Sequence, residues 1–158
     1  YAYACPSPAA LDAVAAAAPG GVIEHGAGTG YWSALLRARG VDVVAYDVAP
    51  PAVSATHNEY HGTVPCWTPV SRGTPDVPVP AGRSTLFLCY PPPDSSLAYD
   101  ALSRHTGDVL VYVGEFAGDT GDKRFETALF DSWTMEQEVL LPNFTNTAYS
   151  LTVWRRGR

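Results

Sequence analysis

The chain has 158 residues, 46% of them hydrophobic, with a formal net charge of -6. That length suits a single domain, residues 1–158 together, with a proper core. The acidic balance argues against a broad phosphate-binding surface, so nucleic acid is an unexpected partner. No apolar run approaches the ~20 residues of a membrane span, and no basic, apolar leader opens the chain, so neither a membrane nor a signal peptide is expected.

Tyr1 to Pro8, YAYACPSP, reads as an extended lead-in. Ser7 and Pro8 form a helix start, N-cap then N1. The helix runs to about Ala18, with Leu11, Val14 and Ala18 on one face, until Pro19-Gly20-Gly21 stops it. Val22-Ile23-Glu24 is a short strand and Gly26 to Gly30 a glycine turn. Tyr31 to Arg39 is an amphipathic helix, and Val41 to Tyr46 a second strand ending on Asp47. Pro50 and Pro51 end that strand. Pro51 to Tyr60 reads as a short helix, and Asn58-Glu59-Tyr60-His61-Gly62 as a polar knot. Val64 to Val70, broken by Pro65 and Pro69, fits a sheet edge, and Ser71 to Pro75 a turn.

Thr85 to Tyr90, TLFLCY, is a continuous apolar strand of the kind found in a sheet covered on both sides. Pro91-Pro92-Pro93 stops it. Asp94 or Ser95 caps a helix through about His105, and Gly107 to Glu115 carries another strand. Gly114 to Asp122 reads as a flexible polar loop. Lys123 to Trp133 is a helix with Phe125, Leu129 and Phe130 on one side. Met135 to Leu141 and Ala148 to Arg155 are strands whose short join forces antiparallel pairing. The pattern predicts a doubly wound α/β sheet, mostly parallel and seven-stranded, with a reversed C-terminal strand. Cys5, Cys66 and Cys89 are far apart and include no C-x-x-C, so no metal is expected, and reduced thiols suit a cytoplasmic setting.

Gly21 to Asp47 carries the specific signal. Strand, glycine turn, helix, strand and acid follow in the order of a nucleotide-type βαβ unit. The acid stands about 20 residues past the turn, where a carboxylate meets ribose hydroxyls. Glycines permit φ values that a Cβ penalises and let a ligand approach the main chain. The helix start behind them presents N–H groups to a carboxylate or phosphate. Gly26, Gly28 and Gly30 give G-x-G-x-G, while Tyr31 stands where a dinucleotide fingerprint needs its third glycine.

With Glu24 two residues ahead of Gly26, the stretch resembles motif I, E/D-x-G-x-G-x-G, of the class I S-adenosylmethionine-dependent methyltransferases, which have a Rossmann-like fold. The resemblance implies S-adenosyl-L-methionine as cofactor. It implies cofactor contacts from Glu24, Gly26, Ala27, Gly28 and Gly30, with Glu24 orienting the loop or countering the sulfonium charge. Asp47 would accept from both ribose hydroxyls, with Val48 beside it, and Gly73 and Thr74 would border the adenine ring. Cys89 ends a central strand at the same cleft. An aromatic N-terminal arm, here Tyr3, would fold over the methionine end.

Tyr90-Pro91-Pro92-Pro93 resembles the N/D-P-P-Y motif of amino-methyltransferases but departs at both ends. Tyr90 replaces the amine-gripping Asn or Asp, and Pro93 the aromatic residue. Tyr90 is therefore read as a residue that packs or hydrogen-bonds against a substrate. Where the nucleophile must lose a proton, His57, His61, Glu115 and Asp119 are candidate bases, His61 and Glu115 foremost. Three functions stay open. The first is a methyltransferase acting on a small molecule or another acceptor. The second is a cofactor-binding or scaffold protein of the same fold without transfer activity. The third is a nucleic-acid amino-methyltransferase working with a partner subunit. Nothing in the sequence sets an oligomeric state.

Overall fold

The computed structural model describes residues 2–51 and 57–157. Helix α1 (Pro8–Ala17), strand β1 (Val22–His25), helix α2 (Tyr31–Ala38) and strand β2 (Val43–Asp47) come first. Then follow β3 (Ser71–Arg72), β4 (Thr85–Cys89), α3 (Leu97–Arg104), β5 (Val109–Gly114), α4 (Lys123–Ser132), β6 (Trp133–Leu140) and β7 (Ser150–Arg156). They build a 7-stranded sheet in the order β3-β2-β1-β4-β5-β7-β6. β3 through β5 pair in parallel, and β7 runs antiparallel to both of its neighbours. The chain turns back between β1 and β4, so a ligand crevice belongs beyond their carboxyl ends.

Alternation along each strand splits the core into two layers. Val22, Phe87, Val109, Val111 and Val113 pack under α1 and α2 with Leu11, Val14, Trp32 and Leu36. Ile23, Leu86, Leu88, Leu110 and Tyr112 pack under α3 and α4 with Ala101, Leu102, Phe125 and Leu129. Covered on both sides, the central strands can be apolar throughout. N-cap side chains close two of the helices. Ser7 Oγ accepts from Ala10 N at 3.2 Å, and Asp122 Oδ1 from Phe125 N at 2.9 Å. Among the described residues no helix is long and apolar enough to cross a membrane.

Several expectations change. Val64 to Val70 forms no strand, because Pro65 and Pro69 withhold the N–H groups a ladder needs. That segment lies over the start of α2 instead. Trp67 N donates to Thr29 O at 2.8 Å, and Arg37 Nη1 donates to Thr68 Oγ1 at 2.6 Å and Pro69 O at 3.1 Å. The edge strand is Ser71–Arg72, expected as part of a turn, paired on Tyr46 and Asp47. The helix expected from Pro51 to Tyr60 falls partly on 52–56, outside the described residues. Asn58 and Gly62 pair across a tight turn. Ser96 holds the N-cap position of α3 and makes no side-chain capping bond; the Ser95 hydroxyl supplies one, accepting from Leu97 N at 3.2 Å. The loop from Gly114 to Asp122 is pinned by buried Thr120, whose Oγ1 bonds the Tyr112 hydroxyl and accepts from Glu115 N at 2.8 Å. Phe130 does not join the buried side of α4; it stays half exposed, edge-on to Trp154.

Candidate functional site

A cleft of about 1210 Å³ opens beyond β1, β2 and β4. Tyr3, Glu24, Gly26, Ala27, Gly28, Asp47, Val48, His61, Gly73, Thr74, Cys89 and Tyr90 line it. Gly30 and Glu115 do not.

The glycine bend leaves β1 in left-handed backbone, with φ +73 at Gly26 and +54 at Gly28. It is closely approached. A Cβ on Gly26 would meet Leu97 Cδ2 at 2.7 Å, and one on Gly28 would meet His61 Nε2 at 2.4 Å. Gly30 has another reason to be glycine. A Cβ there would meet Val70 Cγ2 at 2.8 Å and Thr68 Cγ2 at 3.0 Å, so it makes room for the segment over α2 rather than for a ligand.

Asp47 is buried at the end of β2 and turned onto the bend. Its Oδ2 accepts from Gly28 N at 2.9 Å; its Oδ1 accepts from Ala49 N at 2.9 Å and Asn58 Nδ2 at 3.3 Å. A carboxylate has about four acceptor positions. Donors among the described residues take three of them, which leaves one for a ligand hydroxyl with these bonds in place. Asn58 is the residue sequence reading missed. Buried, it also donates to Ala49 O at 2.8 Å and accepts from Tyr60 N at 3.0 Å and His61 N at 2.9 Å. The last two bonds form an Asx-type turn, so Asn58 at the head of the polar knot was the available signal.

Glu24 lies buried between the bend and α2, where Ser33 Oγ donates to its Oε2. Burial pushes its carboxyl up to about 7, against the opposing pull of the Ser33 bond and the Arg37 charge. The His61 ring covers Gly28, and its burial lowers the imidazole below its ordinary range, so near neutral pH it is a neutral acceptor. Burial, with Glu24 nearby, pushes the Cys89 thiol well above its ordinary range, which favours the protonated form. Gly73 N donates to Asp47 O at 2.9 Å, and Thr74 Oγ1 donates to Asp76. Exposed Val48 forms part of the rim.

The N-terminal arm enters the same cleft. Trp32 Nε1 donates to Ala4 O at 3.1 Å and anchors it. Tyr3 then stacks on Tyr90, centroids 5.8 Å apart, and meets His61 edge-on at 5.7 Å. Tyr90 holds φ 53, a strained value for a bulky residue, while its N–H donates to Val113 O at 2.7 Å. Glu115, expected in the cleft, is elsewhere. Gly114 pairs with Ser150, which carries Glu115 to the loop entering β7, where its Oε1 accepts from Ala148 N at 2.7 Å. Among the described residues no cluster of three His, Cys, Asp or Glu could hold a metal.

No protein-family model matches the chain, and no curated protein matches it. Solved structures do. An rRNA methylase from Streptococcus thermophilus shares 15% identity over 98% of this chain and 99% of its own, with a TM-score of 0.57. The 1,6-didemethyltoxoflavin-N1-methyltransferase of Burkholderia thailandensis, seen with S-adenosylhomocysteine, shares 14% over 96% of this chain and 78% of its own, with a TM-score of 0.61. The magnesium protoporphyrin IX methyltransferase of Synechocystis, with bound S-adenosylmethionine, shares 13% over 94% and 76%, with a TM-score of 0.58. At these identities the likeness is one of fold. The fold is that of the class I S-adenosylmethionine-dependent methyltransferases.

Proposed function

We propose that this chain is an S-adenosylmethionine-dependent methyltransferase acting on a small-molecule acceptor. One observation carries the reading. A bend of small residues, Gly26-Ala27-Gly28, borders an open cleft at the sheet's switch point, and the Asp47 carboxylate accepts from its Gly28 N–H. The cleft's chemistry suits the cofactor. Asp47 offers negative charge to a ligand with a sulfonium and an ammonium, its remaining acceptor position suits a ribose hydroxyl, and a cationic ligand beside buried Glu24 would favour loss of the proton that burial retains. Val48, Gly73 and Thr74 border space for a flat base, with Cys89 and Pro91 nearby.

The bound group would supply an electrophilic methyl. This chain's part is to hold a nucleophile in line with it and to exclude water. Tyr3 and Tyr90 form one wall for that purpose. His61, kept neutral, accepts a proton from a nucleophile that carries one. The structural neighbours, named for rRNA, porphyrin and toxoflavin-type acceptors, support methyl transfer and leave the acceptor class wide.

A second reading, a cofactor-binding protein without transfer activity, draws on His61 lying across Gly28 and on the three bonds already made by Asp47. Calorimetric titration tests both readings. S-adenosylmethionine and S-adenosylhomocysteine should bind saturably and a nicotinamide dinucleotide should not. Transfer of label from the methyl group to a metabolite extract then separates an enzyme from a binder. Failure of both adenosyl compounds to bind rejects the function.

A further inference from the structure

The cleft carries a row of rings at its mouth. Tyr3 lies nearly parallel to Tyr90, 17° between planes, and meets Tyr60 edge-on with centroids 6.2 Å apart. Tyr3 keeps 48% of its surface exposed and Tyr60 44%, and all three rings line the cleft. The face of such a ring is the negative end of its quadrupole and attracts cations.

Carboxylates flank the row. Burial, then the Glu59 and Asp94 charges, raises the Tyr60 phenol; burial, then Glu115 and Asp119, raises that of Tyr90. Asp12, Asp42, Asp100, Asp108, Asp122 and Glu136 each pair with an arginine, while exposed Asp76, Asp131 and Glu138 stand away from the cleft with no arginine partner among the described residues. Glu59, Asp94 and Asp119 take part in no such pair among the described residues, yet all three line the cleft. Stacking alone would accept any flat molecule. The unmatched acids set the sign of the charge that gains most.

We infer that the acceptor is a small organic cation, its charged nitrogen held against Tyr3 and Tyr60 beside Asp94 and Asp119, with its nucleophilic atom reaching past Tyr90 toward the glycine bend. The inference rests on the methyltransferase reading of the cleft and names the substrate class for it. Glu59, Asp94 and Asp119 outnumber Arg72 among the charged side chains along the cleft, so the phosphates of an RNA acceptor meet net negative charge there.

The test titrates the full chain with benzyltrimethylammonium, benzyl alcohol, benzenesulfonate and a short single-stranded RNA, each with and without S-adenosylhomocysteine. The cation should bind at least roughly tenfold tighter than the alcohol or the sulfonate, the scale of a partly desolvated cation–π contact. Its affinity should fall as salt rises. Joint replacement Asp94→Asn and Asp119→Asn, on exposed positions, should weaken the cation roughly threefold to tenfold, as expected of solvated charges. It should leave S-adenosylhomocysteine binding unchanged. Equal binding of cation and alcohol, indifference to the joint replacement, or RNA binding at about 0.15 M salt overturns the inference. If S-adenosylhomocysteine still binds, the methyltransferase reading survives that result. If it does not bind at all, that reading falls and takes this acceptor with it.

Discussion

Gly28 is where a single atom decides most. Its φ of +54 costs an L-residue roughly 1–2 kcal/mol, and a Cβ there would stand 2.4 Å from His61 Nε2. Gly28→Ala should therefore destabilise the fold by more than the backbone term alone. Adding His61→Ala should recover the steric part and leave the backbone part. A double-mutant cycle by urea unfolding should give a coupling of about 1 kcal/mol or more; simple additivity would remove His61 from the bend. Asn58 offers a second test. Its amide joins Asp47, Ala49, Tyr60 and His61, so Asn58→Ala strands buried Asp47 and three partly buried backbone groups. A loss of about 2 kcal/mol in stability is expected. Weaker S-adenosylhomocysteine binding should accompany it, because Asp47 loses an orienting donor. Unchanged affinity in the folded variant would count against Asp47 as the ribose acceptor.

Among the elements, Arg37 joins three pieces of chain. Its Nη2 donates to Val43 O at 2.7 Å while its Nη1 reaches Thr68 and Pro69. Arg37→Lys keeps the charge but loses the planar fork that serves two strands of chain at once. The variant should lose about 1–2 kcal/mol, allowing for partial exposure. Proteolysis between Val64 and Val70 should become faster; an unaltered digestion pattern would show that the segment is held by other contacts. β4 and β5 were legible in the sequence because strands covered on both sides favour apolar runs, and β1, which ends in Glu24 and His25, because the glycine turn follows it. The glycine bend was legible because its φ values exclude other residues. β3 was not, since Ser71 and Arg72 become a strand only by pairing with Tyr46 and Asp47. Asn58 was recognisably turn-forming, but its bonds to Asp47 and Ala49 depend on how the chain folds back. Glu115 failed for a similar reason. Its partner, Ala148 N, arrives 33 positions later in the chain.

At the scale of the whole molecule, two buried groups pull stability in opposite directions as pH changes. Burial raises Glu24 from 4.5 to about 7, so between those values the folded chain keeps a proton that the unfolded chain has released. Stability therefore falls as pH rises through that window, by about 3 kcal/mol in total. Burial, helped by His105, lowers His25 from 6.5 to about 4. Here the unfolded chain takes up a proton that the folded chain refuses, so stability falls as pH drops from 6.5 to about 4. The two slopes overlap from 4.5 to 6.5 and largely cancel, leaving little pH dependence from this pair. Glu24→Gln removes one slope and keeps an oxygen to accept from Ser33. Its stability should climb across the acid range. Urea unfolding at several pH values should show the variant gaining on the parent by about 3 kcal/mol between pH 4.5 and 7, and no further above that. A difference that stays constant with pH would mean that Glu24 is ionised throughout, and its burial beside the glycine bend would then need a bound counter-charge to explain it.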